Sequence, residues 1–394
     1  MRLTTAEAAA RLGVKPATLY AYVSRGVLQR DRGPAGSTFD AAQVEGLALR
    51  SRRAAGRPRP PLDFVTELTL IEDGLLRYRG LDAVELSRTR TFEEVAGWLW
   101  DGAWPPRPVA WAAAPEVARA ATAACATLDA GCTPADRWRV VVAAAATADP
   151  LRHDHRPASV TAGAAGLLAA LVDVLPAARR LAGASRRPPA SLAARLWPRL
   201  SPMPATSARI GALDAALVLM ADHELAASTL AARAAAAFGA DPYAVVLTGM
   251  ASASGPLHAA SSLEVRPVLA RADADGAAAA VGEVLSRGGD MPGLGQPLYP
   301  DGDPRATELF LRLRALPGSM DGVDAVLALT SSRRMPPPNC DFALAALAHA
   351  AQMVPGASEA IFILARTAGW VAHSMEEYSR RTSFRVRATY VGPR

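Results

Sequence analysis

Residues 217–233 read LVLMADHELAASTLAAR, and residues 335–350 read MPPPNCDFALAALAHA. Each sets one acid–base side chain against an apolar run at helical spacing. His223 stands between Asp222 and Glu224 within a strongly apolar helical context. Asp341 directly precedes an apolar helix, after three prolines that cannot continue one. Taken singly, both have plain readings. A lone histidine beside apolar residues is more often structural, and an acid in a first helical turn is favoured by the helix dipole. What decides the fold is the company these two segments keep.

Between them lie two further stretches with chemical content. In ASGPLHAASS, His258 follows Gly255-Pro256, where the backbone is expected to turn and present the imidazole. In MPGLGQPLYPDGDPRATELF (291–310), a Gly/Pro-rich loop precedes a helix. Gly293 and Gly295 permit close backbone approach to a ligand. The spacing matches neither a Walker A loop nor a dinucleotide fingerprint. Asp303-Pro304-Arg305 places an arginine at a helix start. Downstream, Arg366 sits in an otherwise apolar helix, where a buried guanidinium needs a carboxylate from the protein or from a ligand. His349 and His373 lie in helical runs and read as structural or surface residues. His153 and His155 flank Asp154, but no further ligand is near in sequence, so no metal site is expected.

The rest of the body is helical. Ala-rich segments are broken at Pro105-Pro106, Pro188-Pro189, Gly255-Pro256 and Pro336-Pro337-Pro338; alanine costs little entropy in a helix and lets helices pack closely. Residues 67–78, with Glu72-Asp73-Gly74 between two short apolar runs, predict a small β-hairpin. Residues 151–159 and 179–189 carry no clear element, the second reading as a solvated connection. The stretch from Val160 to Ala178 holds Asp173 and Pro176 and reads as a buried helix, not a membrane span. With 51% hydrophobic and 20% charged residues, the 394-residue chain has material for a large core, which excludes disorder over most of its length. Three scattered cysteines without a CxxC pair argue for a reducing compartment. The opening residues have no apolar h-region, so no signal peptide is read and a cytoplasmic location is expected.

The front differs from the body in charge. Residues 1–57 hold ten Lys+Arg against four Asp+Glu, while the chain as a whole holds 43 against 37; the remaining residues are therefore balanced at 33 against 33. A basic segment on a neutral body suggests that only the front meets a polyanion. Thr4 or Thr5 can cap a first helix with Glu7 in its first turn, Gly13 ends it, and Lys15-Pro16 opens a second helix that Gly26 ends. Val27 to Phe39 reads as a wing with Arg30 and Arg32, and a last helix spans about Ala41 to Arg53. LTTAEAAARLGVKPATLYAYVSRGVL resembles the DNA-binding half of the MerR and excisionase families, which implies a winged helix-turn-helix over residues 1–57 and possible DNA contact. Residues 58–63, opening with Pro58-Arg59-Pro60-Pro61, read as a stiff linker.

Eight motifs then follow in order: LRYRG, TFEEVAGWLW, ADHELAAST, GPLH, a Gly-rich loop before GDPRA, PNCDFAL, ARTAGWVAH and FRVRATYVG. This order, from about Phe64 to the C-terminus, resembles the citrate synthase family. The resemblance implies a mainly α fold with all-helical large and small domains, the small, CoA-side domain at about residues 225–340. It implies condensation of acetyl-CoA or another short acyl-CoA with oxaloacetate or a related 2-oxo acid, with CoA as co-substrate and no permanently bound cofactor or metal. Asp341 aligns with the base that removes a proton beside the thioester, and His258 with the donor at its carbonyl. His223 aligns with a histidine that hydrogen-bonds the 2-oxo acid. Arg305, Arg366 and Arg385 align with the guanidinium groups that hold the dicarboxylate, Arg385 being the one a neighbouring subunit supplies; a homodimer with shared sites is implied. Two departures stand out. The family has His where this chain has Gln296, and glutamine donates a hydrogen bond but cannot shuttle a proton. Ala259-Ala260 replaces the family's Gly-Gly. The departures leave open a slow enzyme, a DNA-binding sensor of CoA esters or 2-oxo acids, or a catalytically impaired paralogue that modulates a true synthase by forming mixed dimers.

Overall fold

The computed structural model describes residues 2–24, 27–33, 36–44, 47, 64–107, 109–178, 191–255, 258–316 and 320–380. These fall into a front unit and a body that begins at Leu68. Arg385, the linker at 58–63 and the expected solvated connection at 179–189 lie outside the described residues, as does the far end of the helix read over 41–53.

In the front unit, β1 (Arg2–Thr4), β2 (Arg30–Gly33) and β3 (Gly36–Asp40) form an antiparallel sheet in the order β1-β3-β2. Leu3 pairs with Phe39 and Asp31 with Thr38. The first strand was not legible in the sequence, since three residues are too few to show alternation. Thr4 caps α1 (Thr5–Leu12) in a reciprocal box with Glu7, and Gly13 closes the helix in a left-handed conformation. Helix α2 (Pro16–Ser24) starts at the proline. Leu3, Ala8, Leu19, Leu28, Phe39 and Val44 form a small separate core.

The body opens with an antiparallel meander of β4 (Thr69–Glu72), β5 (Leu75–Tyr78) and β6 (Leu81–Asp82). Asp73 and Gly74 both have positive φ between the paired Glu72 and Leu75, so the first turn is a two-residue hairpin loop. Fifteen labelled helices follow: α3 (Ala83–Thr89), α4 (Phe92–Asp101), α5 (Pro115–Ala126), α6 (Pro134–Ala148), α7 (Pro157–Asp173), α8 (Leu192–Leu200), α9 (Ser207–Met220), α10 (Ala227–Ala237), α11 (Pro242–Ala253), α12 (Ser261–Asp275), α13 (Ala277–Ser286), α14 (Pro304–Arg314), α15 (Asp321–Ser332), α16 (Cys340–Ala350) and α17 (Ala357–Arg380). The sequence placed one buried helix to Ala178; α7 ends at Asp173, ahead of Pro176. In the stretch 151–159, Asp154 takes hydrogen bonds from Arg156, just before α7, and from Ser159 in its first turn.

Helix α17 is the axis. It is buried on all sides through Ser374 and packs against α4, α7, α9, α10, α11 and α16. A helix apolar all round belongs in the middle of a helical body. Small residues set the close approaches: a Cβ on Gly249 of α11 would stand 2.4 Å from the Trp370 ring, and one on Gly369 would stand 2.3 Å from Asp222 Oδ1. The core is continuous from Leu68 to Ala372. No helix of the described residues is long and apolar enough to cross a membrane, and the three cysteines are free.

Candidate active site

The site is assembled where α9 ends beside α17 and where α14 and α16 begin. After Met220 the chain turns through Asp222 and Glu224, the latter at φ 53°. Asp222 is wholly buried. Its Oδ2 accepts from the Thr69 hydroxyl and from Glu224 N (3.2 Å) and lies 3.3 Å from His373 Nε2. Tyr78 Oη donates to the Asp222 carbonyl at 3.1 Å. The turn so fixed carries His223, which is buried with Nε2 3.0 Å from Tyr299 Oη. Burial, then the charges of Arg305 and Arg366, push this imidazole well below its usual range, so it is neutral.

Asp303 caps α14 by accepting from Arg305 N, with Pro304 at the first helical position. The same carboxylate grips the Arg305 side chain in a fork, Nε to Oδ1 at 2.9 Å and Nη2 to Oδ2 at 2.8 Å. Its Oδ2 also accepts from Cys340 N at 3.0 Å, tying the start of α14 to the start of α16. Burial opposes the Arg305 charge, but Asp303 more than offsets it and the guanidinium stays ionised. Arg366 is equally buried. Its Nε donates to the Met220 carbonyl at 2.9 Å, and its guanidinium lies over the Phe362 ring at 4.7 Å. Among the described residues no carboxylate lies within ion-pair distance of it.

His258 Nε2 is 3.0 Å from Ser228 Oγ, and its ring meets Phe362 edge-on. Burial and then the Arg366 charge lower its pKa to about 4. Ala259 and Ala260 lead from it into α12, where the Ser261 hydroxyl donates to Asp341 Oδ2. Asp341 follows Asn339, the cap of α16. Burial raises the Asp341 carboxyl to about 6, against the Ser261 hydrogen bond and the Arg305 charge, which lower it. Asp341 stands in the first turn of α16, as the helix-dipole reading places it, and burial raises its carboxyl all the same.

The loop before α14 is bound to the segment before α16. Gly295 N donates to the Pro337 carbonyl (2.7 Å), Asn339 N to that of Gly293 (2.9 Å), and Asn339 Nδ2 to that of Gly295 (2.9 Å). The glycines make this possible. Both have positive φ, and a Cβ on Gly293 would stand 2.8 Å from both Phe342 Cβ and Val265 Cγ2. The close approach they permit is thus to the protein's own chain. Gln296 is half-buried; its Oε1 accepts from Leu298 N at 3.4 Å, while its carbonyl accepts from Tyr299 N at 2.8 Å.

His223, Arg305 and Arg366, all buried, and the half-buried His258 and Asp341 are therefore electrostatically coupled in one cluster. Sequence reasoning did not single out Tyr299, Asp303, Ser228 or Ser261. Asp303 was the findable one, since Asp before Pro at a helix start is a cap signal. His373, read as structural or surface, is buried and links Asp222 to Arg233, whose Nη1 lies 2.8 Å from its Nδ1 and whose Nε donates to Glu377 Oε1 at 2.7 Å. His155 stacks on Tyr378 at 4.0 Å. No group of three or more His, Cys, Asp or Glu that could hold a metal occurs among the described residues.

The arrangement offers a neutral imidazole donor, a half-buried carboxylate with raised basicity and two buried guanidinium groups. The family model for the citrate synthase C-terminal domain matches residues 62–387. Citrate synthase 2 of Bacillus subtilis is 32% identical over 192 residues, 47% of this chain and 51% of that protein. 2-Methylcitrate synthase 2 of Corynebacterium glutamicum is 29% identical over 190 residues, 45% of this chain and 49% of that protein. The aligned part thus spans about half the length of these relatives. The ternary complex of citrate synthase from Thermoplasma acidophilum with carboxymethyl coenzyme A and oxaloacetate has a like fold, with TM-score 0.64 and 21% identity over 84% of this chain and 94% of that one. From the meander to the long axial helix, with the ordered motifs at the points where the helices converge, this chain belongs to the citrate synthase family.

Proposed function

We propose that the body condenses a short acyl-CoA with a 2-oxo acid, acetyl-CoA with oxaloacetate being the parent pair, to give citrate or an analogue and CoA. The observation that carries this reading is Arg366, a buried guanidinium with no carboxylate within ion-pair distance among the described residues, Asp222 acting on its charge only from farther off, beside Arg305, which Asp303 pairs directly. A buried unpaired charge is costly, and a substrate carboxylate answers it. Asp341 takes the proton from the carbon beside the thioester, and His258 donates to the thioester oxygen as negative charge builds there. His223, neutral and steadied by Tyr299, donates to the 2-oxo acid. The enolate carbon then attacks the 2-oxo carbonyl, the new alkoxide takes a proton from water, and water cleaves the thioester, the CoA thiolate leaving as the thiol with the proton that water gives up. Gln296 stands as a hydrogen-bond donor at the attacked carbonyl, without a proton to give. In this reading Arg385 of a second subunit completes the site, residues near 225–340 form the CoA side, and no cofactor stays bound.

A second reading is favoured by the front, where residues 1–57 carry the chain's whole surplus of positive charge and the described part forms a helix pair with a three-stranded sheet. There the body senses a CoA ester or 2-oxo acid and the front contacts DNA. The deciding experiment is thiol release from acetyl- and propionyl-CoA against a panel of 2-oxo acids, for wild type and Asp341→Asn. Condensation that the Asn variant loses, with 2-oxo acid affinity kept, supports the enzyme. A wild type that binds the ligands but releases no thiol, or an Asn variant that keeps most of the rate, overturns it.

A further inference from the structure

A second cleft, outside the cluster around Asp341, is walled by α3, α4, α9 and α14 and has a volume of about 720 Å³, within the range of small-molecule sites. Glu93 of α4 and Asp214 of α9 both line it. Each accepts a main-chain N–H from the start of a helix, Glu93 Oε1 from Leu192 and Asp214 Oδ1 from Phe92. Glu93 is 1% exposed, and its Oε2 has no hydrogen-bond partner. The neighbouring cations are committed elsewhere. Arg88 and Arg312 bind Glu308, Arg90 and Arg107 bind Glu94, and Arg195 binds Asp173. A buried and a half-buried carboxyl group thus share a cleft with no cation within ion-pair distance of either among the described residues, Arg195 and Arg312 acting on them only from farther off. Burial raises both, and the Glu93 charge further raises Asp214, to about 7, with Arg312 opposing and Glu94 adding to the rise.

We propose that this cleft binds a small organic cation, its guanidinium or ammonium group seated on Asp214 and supplying the donor that Glu93 Oε2 lacks. A metal ion is a poorer fit, because no third His, Cys, Asp or Glu joins the pair among the described residues. A neutral ligand leaves the two acids uncompensated. The mouth is set with Arg88 and Arg107, whose side chains are 48% and 58% exposed, so a ligand carrying a carboxylate several bonds from its cation is favoured over a bare amine. The inference is independent of the condensation reading.

The test is calorimetric titration of the full-length protein with L-arginine, with agmatine as the probe lacking the carboxylate. Arginine should bind more tightly than agmatine and release about half a proton per molecule at pH 7, read from buffers of different ionisation enthalpy, because the cation forces Asp214 to ionise. Glu93→Gln, which keeps an acceptor for Leu192 N, and Asp214→Asn should each weaken arginine at least tenfold. Should one variant fail to fold, the other and the wild-type proton release still decide. Failure of both probes to bind at millimolar concentration overturns the proposal, as does arginine binding without proton release or binding that survives in a folded variant. Agmatine binding as tight as arginine overturns the role given to the arginine mouth.

Discussion

Ser261→Ala tests the base by moving its pKa without touching it. The Ser261 hydroxyl donates to Asp341 Oδ2 and lowers a carboxyl that burial holds at about 6. Ionised Asp341 is the active form, so kcat/KM should be level above pH 7 and about tenfold lower at pH 5. His258, at about 4, and His223, well below its usual range, stay neutral across this window and do not shape it. A hydrogen bond to a charged group contributes roughly 1.5–3 kcal/mol, and one pKa unit is about 1.4 kcal/mol, so losing the hydroxyl should raise the midpoint by about one to two units. At pH 7 the ionised fraction then falls from about nine-tenths to between a half and a tenth. The variant should therefore lose about two- to tenfold in kcat/KM at pH 7 and regain most of it by pH 9. The assay is thiol release under subsaturating acyl-CoA from pH 5 to 9. A loss of the same size at every pH, or a limb that stays or moves to lower pH, refutes the assignment.

Gln296→His should restore a proton shuttle and raise turnover about ten- to a thousandfold with little change in 2-oxo acid affinity; no gain favours the sensor reading, and a loss means Gln296 is tuned to another substrate. Gly293→Ala should destabilise by about 2–5 kcal/mol in urea, from a left-handed backbone and from overpacking against Phe342 and Val265. Gly239→Ala, at φ 78° in open space, should show the backbone part alone; equal losses would refute the packing account. Duplex DNA should bind the full chain at low salt with affinity falling as salt rises, and absence of binding at low salt would remove the regulator reading.

The sequence displayed its helices and its reactive side chains because both are local signals. Helical periodicity, Pro breaks and the Asp73-Gly74 turn each act within a few residues. Asp341 and His258 could be assigned because their motifs stand in a recognisable order. What was illegible depends on contacts between distant segments. Nothing near Asp303 shows that its carboxylate also reaches Cys340 N, and nothing near His373 shows that it meets Asp222 151 positions away. Gly293 and Gly295 were read as making room for a ligand, whereas the room is taken by Phe342, Val265 and Pro336. A glycine signals that something comes close, and only the fold says what.

The main-chain bonds between residues 293–295 and 337–339 bear on how the site can open. They stitch the stretch holding Gln296 and Tyr299 to the stretch holding Asp341, so a movement of one carries the other and the spacing of these side chains is kept. The distance from Asp341 to Gln296 is then the constant of the cycle, and the distance from Asp341 to Arg366 is its variable.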